Sequence, residues 1–176
     1  MSNLILGRPD TSEYPPYAAV YVNLVVGDQI LPILAAQLEQ STVLLKSVDD
    51  RRASEFAYAP GKWTIKQILG HIIDTERIFG YRAHHIARND VTPLAGFEQD
   101  DYVAAGSFNE RALNGLIDEY RAVRQSTIAL FQNLPQQAWL RQGIANKYSV
   151  TVRGVAFLAA GHELHHVKIL REKYLP

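Results

Sequence analysis

Four stretches of this 176-residue chain carry apolar side chains at intervals of three, four and seven, and no stretch alternates long enough to compete as a strand. That period restricts the fold to helices, each of which must bury one face against another. In the first, Leu31, Leu34, Leu38, Leu45 and Val48 share a face between Asp28 and about Asp49–Asp50. Pro32 falls in its opening turn, where a missing N–H matters least. The second stretch opens on Thr64, a good N-cap, and sets Ile65, Ile68, Leu69, Ile72, Phe79 and Ile86 in a stripe to about Arg88. The third follows a Ser107–Glu110 capping box and carries Leu113, Leu116, Ile117, Tyr120, Val123, Leu130 and Leu134 before Pro135 stops it. The last, capped by Ser149 or Thr151, places Val152, Val155, Leu158, Ala159, Ile169 and Leu170 on one side.

The pattern predicts an all-α chain: one four-helix bundle domain over residues 26–176, preceded by an extended arm over residues 1–25. Pro9, Pro15 and Pro16 interrupt any helical period in the arm, and the arm holds no candidate metal ligand. The connection from Asn89 to Gly106 is long for a hairpin. It predicts a long crossover between the second and third helices, which lets those two run parallel.

Composition removes several function classes. The chain has no Cys, so disulfides, thiolate zinc sites, iron–sulfur clusters and cysteine nucleophiles are excluded. Eighteen basic and eighteen acidic residues cancel, so nothing pulls the chain electrostatically toward nucleic acid or an anionic membrane. No apolar run approaches the ~18 residues of a spanning helix, and no basic-then-apolar leader opens the chain. A cytoplasmic location is the expectation. Zero net charge also leaves self-association easy, a first hint of a homodimer.

The histidines carry the chemistry. On the last helix His162 and His166 fall within the arc of about 100° that also holds Val155, Leu158, Ala159 and Ile169. They are four residues apart, so their rings sit roughly 5–6 Å apart on neighbouring turns of a core-facing seam. Leaving such groups unsatisfied costs about 1–3 kcal/mol each, and one divalent cation satisfies both. A third ligand is then needed, and His71, on the flank of the second helix's apolar stripe, is the candidate. Three His with an open fourth position is the arrangement of a catalytic metal site. The bland alternative is buried histidines bonded to neighbouring helices. His165 points about 60° away from the seam, and His84 and His85 lie at a helix end beside its C-terminal dipole.

Two other motifs share these residues. His162-Glu163-Leu164-His165-His166 satisfies H-E-x-x-H, with Glu163 as the general base of a zinc protease. That reading needs a further ligand downstream, and none of the ten residues after His166 is His. Glu163 lies about 90° from the seam and reads as a solvated surface carboxylate. Glu163 with His166 is also half of a di-iron carboxylate motif, but no second half exists.

The stretch Trp63–Arg77 (WTIKQILGHIIDTER) and the stretch Gly161–Leu170 (GHELHHVKIL), in this order and spacing, resemble the second and closing helices of the DinB-like superfamily. That group includes the YfiT-type proteins and thiol-dependent transferases. The resemblance covers about residues 28–175. It implies a crossover bundle, a dimer, and a divalent metal, zinc or nickel, held by His71, His162 and His166. Some relatives pass low-molecular-weight thiols such as bacillithiol, mycothiol or glutathione to electrophiles, and others are called metal-dependent hydrolases.

The expected function is therefore a divalent-metal-dependent enzyme that activates a water or an external low-molecular-weight thiol against a small electrophilic substrate. The alternative is a non-catalytic metal- or ligand-binding bundle that senses, stores or interacts. Arg82 returns to nearly the azimuth of His71 eleven residues on; it reads first as a surface charge and second as a receiver of an acidic group. Asp74 is either the orienter of His71 or a solvent-facing acid, while Trp63, Phe97 and Tyr102 either roof a pocket or pack in the core.

Overall fold

The computed structural model describes residues 7–175. Residues 1–6 of the expected arm, and residue 176, lie outside the described residues. In chain order the elements are α1 (Ala19–Val22), α2 (Ile30–Lys46), α3 (Asp50–Glu55), α4 (Ile65–Ala87), α5 (Gln99–Ala105), α6 (Leu113–Gln132), β1 (Gln142–Ala145), β2 (Tyr148–Thr151) and α7 (Val152–Ile169). One π-helical turn, Leu170–Tyr174, extends the last helix. Helices α2, α4, α6 and α7 are the bundle.

Cross-helix bonds fix the directions. Thr64 meets Asn109, Arg77 meets Glu119 and Glu76 meets Arg124, so α4 and α6 climb together. Gln37 bonds Ala160 and Ser41 bonds Glu163, so α2 and α7 also run parallel to each other. Trp63 pairs with Tyr174 and Phe79 with His162, which makes α4 and α7 antiparallel. The parallel second and third bundle helices are joined by the long crossover, as the length of that connection predicts.

Local chemistry explains most boundaries. Thr64 accepts from the Gln67 N–H while the Gln67 side chain accepts from the Thr64 N–H, a reciprocal box that starts α4. Thr151, rather than Ser149, caps α7 by accepting from the Gly154 N–H at 2.9 Å.

The expected box at Ser107–Glu110 does not form. Ser107 is left-handed (φ 47°), and Phe108–Glu110 is a 3-10 turn. Phe108 is buried where Gly70 leaves room; a Cβ at Gly70 would stand 2.4 Å from its ring. Helix α6 begins later, and Asp50 Oδ1 of α3 accepts from the Leu113 N–H at 2.6 Å. A carboxylate from a distant segment replaces the local cap.

A small antiparallel hairpin is a second departure from the purely helical expectation. β1 and β2 pair Gln142 with Thr151 and Ala145 with Tyr148 around Asn146–Lys147, both with positive φ (50° and 69°), the signature of a type I′ turn. Each strand is four residues, too short to show alternation. The crossover docks on it: the Leu94 N–H donates to the Ile144 carbonyl and the Asn146 N–H to the Leu94 carbonyl, both at 2.9 Å.

The N-terminal segment is not an extended arm over its described part. Two 3-10 turns and α1 fold it onto α7, burying Tyr14, Ala18, Val22 and Val25. Pro15 and Pro16 initiate a 3-10 turn instead of preventing one. The contact depends on two glycines of α7. A Cβ at Gly154 would stand 2.1 Å from the Glu13 carbonyl oxygen, and one at Gly161 would stand 2.1 Å from that of Tyr21.

Backbone cannot yield as a side chain can. Gly161→Ala is therefore expected to destabilise the protein by roughly 2 kcal/mol or more, within or above the usual overpacking cost. Denaturant melts check it. An unchanged midpoint would mean that α1 does not pack on α7.

Candidate metal centre

His71 on α4 and His162 and His166 on α7 converge. Their ligating ring nitrogens all lie within 4.8 Å of one another, and all three side chains are buried. His162 Nε2 stands 3.0 Å from His71 Nε2 and 3.1 Å from His166 Nε2. Zinc–nitrogen bonds of ~2.0–2.1 Å at a tetrahedral angle put nitrogens about 3.3–3.4 Å apart, so these two separations each fit a shared cation within a few tenths of an ångström. Hydrogen bonding among the rings does not satisfy the group. The Nε2 of His162 has one in-plane site, which is either a donor or a lone pair, and it faces two neighbouring nitrogens.

Burial pushes the His71 pKa down to about 4, helped by His165, and that of His166 to about 3, helped by His71 and His165. Burial, then His166, His71 and His165, puts His162 well below the ordinary value. All three rings are therefore neutral at pH 7, the form that offers a lone pair to a metal. Thr75 Oγ1, one turn after His71, stands 3.4 Å from His71 Nδ1; accepting from Nδ1–H there leaves Nε2 free to ligate. Thr75, not Asp74, is thus placed as the orienter, since Asp74 pairs with Arg77 on the partly exposed side of α4.

Aromatic rings shield the cluster. Trp63 lies 4.8 Å from the His71 ring, while Tyr21 and Phe79 approach His162 edge-on at 5.7 and 5.9 Å. Two clefts open on it. One, of about 310 Å³, is lined by His71, His162, Tyr21, Phe79, Arg82 and Phe97, and the other, of about 380 Å³, by His166, Trp63, Tyr58 and Lys62. Gln99 and Asp100, at the start of α5, line both. Tyr102 packs on Phe97 and is half exposed.

Two residues stand elsewhere than the sequence reading puts them. Glu163 is not a solvated carboxylate; it is 2% exposed. Its Oε1 accepts from Tyr120 Oη (2.8 Å) and Ser41 Oγ (2.5 Å), and its Oε2 accepts from Arg124. Arg124 also holds Glu76 through two bonds of 2.6 and 2.7 Å. Arg82 is not a surface charge, being 8% exposed. The crossover covers Arg82 on α4, and Glu163 is buried because α7 is covered on nearly all sides: from Val152 to Glu163 only Arg153 is not buried, so no azimuth there is a solvent face. An all-round apolar run was the available signal. Arg124 had no signal in the sequence. His165 is half-buried between Tyr21 and His166, His84 is exposed, and His85 donates from Nε2 to the Thr92 carbonyl at 3.0 Å.

The depressed histidine pKa values set a pH dependence. In the metal-free protein the unfolded chain takes up protons below about pH 6.5 that the folded rings refuse. Stability is therefore present above the unfolded value and falls as pH drops from 6.5 toward 4. Thermal melts over that range should show the decline, and His71→Gln with His162→Gln should flatten it. An equal slope in that variant would place the titration elsewhere.

No curated protein matches the sequence. The chain is similar in structure to YfiT from Bacillus subtilis, described as a probable metal-dependent hydrolase with an unusual four-helix bundle topology (TM-score 0.68, 18% identity, 93% of this chain and 91% of that one). It is also similar to a mycothiol-dependent maleylpyruvate isomerase (TM-score 0.68, 13% identity), covering 83% of this chain and 61% of the enzyme. At such identities the likeness shows a shared fold. A family model described as the DinB superfamily matches residues 33–170, which take in all three histidines and all or most of each bundle helix, and the chain belongs to that superfamily.

Proposed function

We propose that the protein is a divalent-metal-dependent enzyme whose ion is held by His71, His162 and His166, and which acts on a small electrophilic molecule with water or an external low-molecular-weight thiol as nucleophile. The observation that carries this reading is the convergence of three neutral, buried rings between the two clefts, with His162 Nε2 3.0 and 3.1 Å from the Nε2 atoms of His71 and His166. A divalent ion held by these three residues would supply the positive charge that lowers the pKa of a water or thiol at neutral pH.

The chain's own residues do the remaining work. The three imidazoles fix the site from two helices, Thr75 sets the His71 tautomer, and Trp63, Tyr21 and Phe79 keep bulk water from the ring faces. With no Cys, any sulfur nucleophile comes from outside. Two clefts on one site suit two small reactants, which favours thiol transfer over hydrolysis. The names of both similar structures, one metal-dependent and the other mycothiol-dependent, support the reading. Zinc or nickel as the ion and a homodimer complete the proposal on family resemblance, and a cytoplasmic setting is the expectation from the sequence. Among the described residues no helix is long and apolar enough to cross a membrane.

Replacing His71, His162 or His166 by Ala should each release the metal, read by elemental analysis, and abolish turnover of electrophiles offered with and without thiols. His165→Ala and His84→Ala should keep the ion. Chelation should lower the wild-type melting temperature and leave the triad variants unmoved. An ion at a hundred times its dissociation constant adds about 2.7 kcal/mol to the folded state. Wild-type protein that takes up neither zinc nor nickel would falsify the proposal.

A further inference from the structure

Arg82 sits on α4 with its side chain in the wall of the cleft that also holds His71 and His162. It is 8% exposed, yet its only bond among the described residues is from Nη2 to the Ala95 carbonyl, at 3.0 Å. No carboxylate of the described residues pairs with it. The other buried guanidinium, Arg124, holds two carboxylates, which shows what this core supplies to a cation it means to neutralise. A guanidinium stays charged under all ordinary conditions, and an unpaired buried charge is costly. Burial does lower its pKa from the ordinary guanidinium value, in keeping with a cation that lacks a carboxylate partner.

Glu98 and Asp100 line the same cleft, but both are exposed and neither forms an ion pair with Arg82. Pinning the Ala95 carbonyl needs one neutral donor, whereas Arg offers five in a planar fork suited to a carboxylate.

We propose that Arg82 is the anion-binding residue of this cleft, holding a carboxylate at one end of an elongated small-molecule ligand whose other end reaches the three-histidine centre. Eleven residues of helix separate Arg82 from His71, a rise of about 16 Å. Helical side chains lean toward the N-terminus, so the guanidinium reaches back toward His71 and leaves a span on the order of 10 Å. The place of the ligand's far end rests on the metal reading above; the contact with the anion does not.

The probes are ω-mercaptooctanoate and its neutral counterpart ω-mercaptooctanol, titrated calorimetrically into the full-length zinc-loaded protein. The acid should bind about tenfold more tightly than the alcohol, as a charge-assisted bidentate pair allows. Arg82→Gln should erase that ratio while leaving the alcohol's affinity unchanged, and Arg82→Lys should restore only part of it. Mercaptoacetate, too short to span, should be indifferent to Arg82. Equal affinities in the wild type, or an acid preference that survives Arg82→Gln, overturn the proposal.

If Arg82→Gln does not fold, the wild-type ratio and its chain-length dependence decide. Octanoate against octanol needs no metal and is titrated in parallel with metal-free protein, where the same charge preference is expected and its absence counts against the anchor. Failure to load either zinc or nickel sinks the metal reading, while loaded protein with no preference sinks the anchor alone.

Discussion

Arg124 is the point on which the bundle turns. Its guanidinium has no exposure, and from α6 it reaches each of the other three bundle helices: Leu34 and Gln37 on α2, Glu76 on α4 and Glu163 on α7. A charge taken out of water this completely is tolerated only when its donors are filled, and here the fork meets two carboxylates. The second carboxylate leaves one negative charge in excess. The hydroxyls of Tyr120 and Ser41 both donate to it, and burial beside Glu163 raises the Tyr120 pKa so that the phenol keeps its proton. Such a network adds less stability than an apolar core of equal volume, but it permits only one axial register. Two apolar clusters lie on either side of this polar layer, one containing Leu34, Phe79 and Ala160, the other Leu38, Ile73 and Leu170.

That register makes the histidine cluster. Glu163 is drawn toward α6 and α2, which fixes the rotation of α7. His162 and His166 then lie about 100° and 60° to one side of it, turned toward α4 and His71. The same layer therefore sets both the height and the azimuth at which ring nitrogens from two helices arrive 3.0 Å apart. The buried network and the candidate metal centre are neighbours on one helix because a site shared between helices needs helices that cannot slide.

Much of this was legible in the residues. Hydrophobic period gave the four bundle helices, Thr64 and Thr151 marked two starts, and the four-residue spacing of His162 and His166 put both on one face. What escaped was decided by distant partners. The cap of α6 comes from Asp50, sixty-three residues before Leu113. The hairpin depends on two left-handed residues without the usual Asn-Gly signal. Glu163 and Arg82 escape a helical wheel because a wheel assumes a solvent side, and α7 has almost none, while the crossover covers α4 at Arg82. The N-terminal segment looked extended because its prolines were read as breakers, although Pro at the first position of a short turn favours helical φ.

The crossover links topology to chemistry. A bundle whose neighbours all run antiparallel closes each end with a short turn and leaves its core histidines sealed. Here α4 and α6 run parallel, so the chain must travel back along the bundle before α6 can start. On that return it docks at Leu94 on the hairpin, gives the Ala95 carbonyl to Arg82, and lays Gln99 and Asp100 across the two clefts beside the histidines. The glycines of α7 let α1 cover the other flank with Tyr21. The site is thus enclosed by the arm and the crossover, irregular segments whose course is set by distant partners, while its ligands stand on two helices whose period is plain in the sequence. Rigid helices hold the reacting centre, and irregular segments, free to vary in length and side chain, shape what reaches it.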